Sequence, residues 1–318
     1  MRAMVCHHLS RDRSGLAFEP DWPEPPSPEA GEVTVAMMFA ALNYPDVLML
    51  AGGYQFAPPL PFVPGVEGSG TIIAVGAGVD PAHVGQAVIV GARFGCLADR
   101  LTLPLAATRA IPPRLNMAAA AALTVGSLTA YVGLVRRGRL CPGERVAVIG
   151  AGGGTGLAAV GIAKALGAEV VALASSAGKL AAARDAGADE AVLIDRSGVL
   201  PAFPLIDVVF DPVGGLAVEP LIARLRRGGR YLIIGFVGGI SDVAFARVAA
   251  GEVEVIGVRA GEYARRDPAG GAANLIAIDA LGKVPHIGLS VPLAQAGAAF
   301  AAMADGTLIG KAVIDCRA

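Results

Sequence analysis

Seven residues, Gly150-Ala-Gly-Gly-Gly-Thr-Gly156, constrain this chain more than any other stretch. Before them, CPGERVAVIGA reads as a turn and a buried strand. After them, GGTGLAAVGIAKALGA reads as a helix ending at Gly167. Glycine lets the backbone reverse at the strand end, and missing side chains admit a pyrophosphate to the main chain. The helix N-terminus then offers unpaired N–H groups and a partial positive charge. The phosphate loop of nucleotide triphosphatases would need Lys-Ser or Lys-Thr after the glycines, and neither follows. The turn points to a dinucleotide. The same rhythm continues: EVVALAS is a second strand, AGKLAAARDAGA a second helix, and DEAVLID, IDVVFDPVGG, GGRYLIIGF and VEVIGVRA are further strands. Helical or loop segments such as LAVEPLIARLR separate them. Strands alternating with helices imply a parallel, doubly wound sheet, an α/β fold.

Which dinucleotide is decided at the end of the second strand. An NAD site places a carboxylate there for the ribose hydroxyls. This chain has Ser175-Ser176, with Lys179 shortly after. A carboxylate about 4 Å from a 2′-phosphate would be repelled by roughly 4 kcal/mol at an effective dielectric near 20. Two serines remove that repulsion and donate hydrogen bonds, while Lys179 supplies a countercharge. The pair can also cap the second helix, and the two roles coexist. NADPH is the expected cofactor.

A chain of 318 residues exceeds one compact core, so two domains are expected. Hydrophobic residues make up 54% and charged ones 17%, which suits an enzyme with a large core and room for a subunit interface. The net charge of -1, with no long block of like charges, argues against nucleic acid or an anionic membrane as partner. Cys6, Cys96, Cys141 and Cys316 lie far apart, as free thiols of a reducing cytoplasm do. The N-terminus lacks an apolar signal core. The uncharged run Met117 to Val135 is long enough to cross a bilayer, but it is rich in Ala, Gly, Ser and Thr. A buried helix pair near a domain junction fits it better.

Residues 1 to about 120 read differently. Val33-Thr34-Val35 and Thr71 to Val75 are β-rich, and PDWPEPPSPEAGE, AGGYQFAPPLPFVPG and GAGVDPAHVG are turn material. This half is expected to be a β-rich, barrel-like domain. After residue 262 the chain reads as helical and closes on the short strand KAVID.

LNYPDVLMLAGGY, PFVPGVEGSGTIIAVG, GAGGGTGLAAVGIAKALGA, FDPVGG, GGRYLIIGF, VIGVRAGEYARRDP and the terminal GKAVI occur in one order. Together they resemble the medium-chain dehydrogenase/reductase superfamily, more closely its zinc-independent quinone oxidoreductase (zeta-crystallin-like) branch. The resemblance implies a GroES-like catalytic domain over 1–121, completed by 265–318, and a Rossmann domain over 122–264, with the active site in the cleft between them. Zinc-dependent relatives carry a cysteine where this chain has Asn43 and a histidine where it has Val66, so no metal is expected; the four histidines offer no alternative set. Without a Lewis acid, an acceptor that is already electron-poor is expected: a quinone, or a carbon–carbon double bond conjugated to a carbonyl.

By the same resemblance, Asn43 and Asp46 lie near the nicotinamide and Tyr54 faces the substrate, where its phenol can donate to the developing oxygen. Asp46 reads equally as a helix cap, and Tyr54 as a turn aromatic. Gly150, Gly152, Gly153, Gly154, Thr155 and Gly156 form the pyrophosphate loop. Thr124, Phe236 and Lys311 are further cofactor contacts, with a buried hydroxyl, core packing and a surface cation as their respective alternatives; Tyr263 is a second candidate wall. Glu67 keeps a structural hydrogen-bonding role. The family's tyrosine after the third strand is Asp195 here, followed by Arg196, which with Lys179 can offset the acid. Gly152 stands where alanine is common, a change expected only to loosen the turn. The strand 253–260 ends the sheet, and an uncovered edge there predicts a homodimer. An enoyl-thioester reductase, with Arg265-Arg266 toward a phosphorylated carrier, and a non-catalytic NADPH-binding module are the competing functions.

Overall fold

A computed structural model describes residues 1–195, 200 and 203–318. The chain divides into two units, Met1–Thr124 with His286–Ala318, and Val125–Pro285.

The first unit is β-rich. Strands β1 (Ala3–Cys6) and β2 (Leu16–Glu19) pair with each other. The long β3 (Glu32–Ala41), β4 (Glu67–Val75), β5 (Ala87–Gly91), β6 (Arg100–Pro104) and β7 (Thr108–Ala110) follow. Between β3 and β4 stands helix α1 (Tyr44–Leu50), with Asn43 at its N-cap and Pro45 in its first turn, where a missing N–H is harmless. The expected helix pair in Met117 to Val135 is α2 (Met117–Ala121) and α3 (Thr124–Tyr131), continued by a π-helical segment, Val132–Arg137. Their small side chains are largely buried, and no helix of the described residues is long and apolar enough to cross a membrane.

The second unit holds a six-stranded sheet. Its strands are β8 (Arg145–Ile149), β9 (Glu169–Ala174), β10 (Glu190–Leu193), β11 (Ile206–Asp211), β12 (Leu225–Ile233) and β13 (Glu254–Gly257). They run in the order β10-β9-β8-β11-β12-β13, and every neighbouring pair is parallel. This is the doubly wound arrangement the alternation implied. Helices α4 (Gly154–Ala165) and α5 (Ala177–Asp185) follow the first two strands. Val146, Ala147, Val148, Val170, Val171 and Ala172 are wholly buried, as strands covered on both faces must be. LAVEPLIARLR is only partly helical. It gives the five-residue α6 (Val218–Ile222), because Leu225 already pairs with Ile206 as the start of β12. Helices α7 (Phe245–Gly251), α8 (Ala260–Arg266) and α9 (Pro268–Ala280) complete the unit.

The chain then returns to the first unit. β14 (Ile287–Pro292), which the sequence pattern missed, precedes α10 (Ala296–Ala304) and β15 (Lys311–Asp315). The larger sheet of that unit reads β14-β15-β3-β4-β5-β7, with β6 also paired to β3. Val313 lies opposite Ala41, and Ala41 opposite Glu67. Three neighbouring strands thus bring the start of β15, the end of β3 and the start of β4 to one place.

Candidate functional site

That place holds a buried polar cluster. Lys311 is 4% exposed and Glu67 wholly buried. The Lys311 ammonium donates to Glu67 Oε1 at 2.8 Å, to Asn43 Oδ1 at 2.6 Å and to the Leu42 carbonyl at 2.8 Å. All three of its N–H bonds are used, so Lys311 is neither a surface cation nor free to reach a ligand. The Asn43 amide donates to Glu67 Oε1 at 2.9 Å and to the Ala41 carbonyl at 3.2 Å, which uses both its donors. Glu67 has the structural hydrogen-bonding role expected of it, now with named partners.

Asp46 sits in the first turn of α1, wholly buried. One carboxylate oxygen accepts the Asn43 backbone N–H at 2.8 Å and the other the Gly65 N–H at 3.1 Å. Its geometry is that of the capping acid which the sequence left as the alternative. Burial pushes its carboxyl up to about 7, against the two backbone donors and Lys311. A folded-state pKa above the unfolded value means the native state binds this proton more tightly. The contribution to stability is therefore full below about pH 4 and lost as pH rises toward 7, by up to about 1.4 kcal/mol per pH unit. In Asp46→Asn that dependence is absent. Denaturant unfolding of both proteins at pH 5 and pH 7.5 should show the wild type losing its advantage as pH rises; parallel curves would count against a titrating Asp46.

Tyr54 follows α1 on the loop beyond it, half-buried against the core of its unit. Its hydroxyl has no hydrogen-bond partner among the described residues, so the group remains available to a ligand. Thr124 opens α3 and accepts a 3.5 Å hydrogen bond from Arg109.

In the second unit the glycine-rich turn lies between β8 and α4. Gly150 has φ +60°, which a side chain would resist, and a Cβ on it would stand 2.8 Å from Val213. A Cβ on Gly156 would stand 2.2 Å from the Gly150 carbonyl, so the helix can pack on the strand only without it. Gly152 corrects the sequence reading. A Cβ there would lie 2.4 Å from Lys179 Cβ and 2.9 Å from its Cα, so this glycine admits α5 to the turn and does not merely loosen it. Gly153, the N-cap of α4, differs: a Cβ would meet only the Gly150 carbonyl, at an ordinary 3.5 Å. The fold does not demand that glycine, and the space it leaves is what a pyrophosphate would fill. Gly154, Thr155 and Gly156 form the first turn of α4, whose N–H groups lack helical acceptors. The loop fits a dinucleotide. Gly153→Ala should leave unfolding stability within about 0.5 kcal/mol of wild type. It should also weaken NADPH binding at least about tenfold; a fluorescence titration beside a melting curve checks both.

β9 ends at Ala174, leaving Ser175 and Ser176 exposed. Ser176 caps α5, accepting the Lys179 backbone N–H at 3.4 Å, and the Lys179 ammonium lies 3.5 Å from Ser175 Oγ. Partial burial lowers the Lys179 pKa. Asp195 emerges from β10 beside this turn, since Ile194 N–H donates to the Ala174 carbonyl at 3.0 Å. Arg196 lies outside the described residues.

The FDPVGG stretch supplies a buried acid whose partners the sequence did not show. Asp211 Oδ1 accepts the Val213 and Gly214 N–H groups at 2.7 and 2.8 Å, and Oδ2 accepts the Tyr231 hydroxyl at 2.5 Å. Burial raises the Asp211 pKa. The acid ties the ends of β11 and β12 together, and Phe236, 55% exposed, stands just beyond β12. Tyr263 lies in α8 and is half-buried.

A zinc site does not fit. Asn43 is saturated by Lys311 and Glu67, and among the described residues no group of three or more His, Cys, Asp or Glu could hold a metal ion.

Comparison with known proteins agrees with the two units. A family described as "Alcohol dehydrogenase GroES-like domain" matches residues 29–134, and one described as "Zinc-binding dehydrogenase" matches 154–277. The chain is 31% identical to quinone oxidoreductase-like protein 2 of Bos taurus, over 99% of this chain and 93% of that protein. Quinone oxidoreductase from Thermus thermophilus, solved also in complex with NADPH, superposes with a TM-score of 0.83 at 31% identity, covering 99% of this chain and 100% of that one. A structure described as an NAD-dependent alcohol dehydrogenase gives a TM-score of 0.86 at 29% identity, covering 99% of each.

Proposed function

The chain belongs to the medium-chain dehydrogenase/reductase superfamily, in its quinone oxidoreductase-like branch, and from that membership we propose that it reduces a quinone or an α,β-unsaturated carbonyl compound with NADPH, without zinc. The observation that carries this reading is the donor set around Asn43. An ammonium already occupies the amide oxygen there, so a substrate carbonyl gains no Lewis acid and must be electron-poor from the outset.

Bound NADPH supplies a hydride at its nicotinamide ring. The chain's own residues do the rest. Gly150, Gly152 and Gly153 let the pyrophosphate approach the turn, and Gly154, Thr155 and Gly156 receive it on backbone N–H groups. Ser175, Ser176 and Lys179 hold the 2′-phosphate. Tyr54 donates a hydrogen bond or proton to the acceptor oxygen as charge builds on it. Asn43 and Asp46 act by positioning: with Lys311 and Glu67 they fix the start of α1, beyond which Tyr54 stands. Phe236, exposed just beyond β12, borders the cofactor. Two copies pair through the exposed edge of β13, whose Val255 is 38% exposed, and the enzyme works in the cytoplasm.

An enoyl-thioester reductase is the weaker alternative. Arg265 and Arg266, its candidate cations, both pair with Glu262, at 2.9 and 3.4 Å. The deciding assay follows loss of NADPH absorbance with an ortho-quinone, a metal chelator and a matched NADH control. Chelator-resistant turnover that favours NADPH supports the proposal. NADPH binding without turnover on quinones, enones or enoyl thioesters would leave a non-catalytic module.

A further inference from the structure

Two loops of the first unit meet in a stack of aromatic rings topped by a guanidinium. Phe62, 3% exposed, is the floor, held by reciprocal backbone hydrogen bonds with Cys6 at 2.7 and 3.1 Å. Phe94 meets it edge-on, with centroids 6.5 Å apart and planes at 82°. Phe56 lies stacked on Phe94 at 6.0 Å and 29°. The Arg93 guanidinium carbon sits 3.6 Å from the centre of the Phe56 ring. The Arg93–Phe94 loop is pinned on both sides, by Ala92 N–H to the Val66 carbonyl at 2.9 Å and by Cys96 and Leu97 N–H to the Gly65 and Pro64 carbonyls at 3.1 and 2.9 Å.

What this stack lacks is a counter-ion. Among the described residues Arg93 makes no ion pair and no hydrogen bond. A guanidinium laid on a ring face is held by the π-cloud and by dispersion, which use none of its five N–H bonds. Those bonds lie in its own plane and match two oxygens of a carboxylate or sulfonate. Phe94 is 36% exposed and offers part of an aromatic surface. Phe56 is two residues from Tyr54, whose hydroxyl is also without a partner among the described residues.

We propose that the Tyr54–Phe56 and Arg93–Phe94 loops form an acceptor subsite that selects planar carbonyl compounds bearing an anionic substituent, a carboxylate or sulfonate. The ring of the acceptor lies against the exposed part of Phe94, its carbonyl oxygen meets Tyr54, and its anionic group pairs with Arg93. The proposal rests on the functional reading above for placing the acceptor beside Tyr54.

The test compares a naphthoquinone sulfonate with its unsubstituted parent in the wild type, Arg93→Gln and Arg93→Lys. The sulfonate alters intrinsic electrophilicity equally for all three proteins, so the change in the ratio of kcat/KM between proteins reads the charge contact alone. The ratio is expected to fall about fivefold in Arg93→Gln, as for one well-placed ion pair. Arg93→Lys should fall between the two, since an ammonium keeps the charge and loses the fork. Raising salt to about 0.2 M should shrink the wild-type preference. A ratio unchanged in Arg93→Gln overturns the proposal. A second arm titrates naphthalene sulfonate and naphthol calorimetrically, with an expected fivefold weaker sulfonate affinity in Arg93→Gln and no comparable change for naphthol. If no protein reduces either quinone, the functional reading falls while this arm still decides the subsite. Equal sulfonate affinity in wild type and Arg93→Gln removes it.

Discussion

Lys311→Met is expected to destabilise the folded protein by about 3–5 kcal/mol. Methionine fills much the same volume, so packing alone would predict a small loss. The large effect comes from Glu67, which is wholly buried and would lose the ammonium that donates to its Oε1. The double variant Glu67→Gln/Lys311→Met separates this cause from a packing defect: it removes both charges and should recover most of the loss. A deficit that persists in the double variant would mean that the ion pair is not its source. Catalysis should follow stability here, since Asn43 loses the partner of its amide oxygen.

Ser175→Asp is expected to weaken NADPH about a hundredfold to a thousandfold, and to leave NADH unharmed or improved. Part of the effect is direct, because a carboxylate about 4 Å from a 2′-phosphate is repelled by roughly 4 kcal/mol at a dielectric near 20. The rest is indirect. The Lys179 ammonium lies 3.5 Å from Ser175 Oγ, so an aspartate there would bind it as an ion pair and withdraw it from the cofactor. Both cofactors should be compared by kcat/KM and by direct titration. A change below about threefold for NADPH would transfer the decision from Ser175 and Lys179 to Asp195 and its surroundings. The comparison also discriminates between the relatives, one solved with NADPH and another described as NAD-dependent.

Much of the second unit was legible because its signals are local. EVVALAS and IDVVFD carry the apolar runs Val170–Ala174 and Val208–Phe210, and each appears as a strand within a residue or so of the expected place. The glycine turn was legible for the same reason, since strand, reversal and helix all fall within about 25 residues. LAVEPLIARLR failed where locality failed. Its apolar spacing suits a helix, yet the pairing of Leu225 with Ile206 ended the helix early. β14 was hidden because Gly288 and Pro292 read as turn residues, whereas β15 beside it supplies a parallel partner.

The candidate site divides along the same line. That Ser175, Ser176 and Lys179 stand beside the glycine turn could be expected from the chain alone, because they follow it at the distance a βαβ unit allows. The surroundings of Asn43 could not. Lys311 lies 268 residues from Asn43 and 244 from Glu67, and no periodicity links positions so far apart. Only the register of β15 on β3, and of β3 on β4, places an ammonium against that amide and that carboxylate. Backbone turns and hydrophobic periods follow from each residue and its near neighbours, so they can be read along a sequence. A buried charge is tolerated only where an opposite charge is brought to meet it, and strand pairing across the whole chain decides where that is.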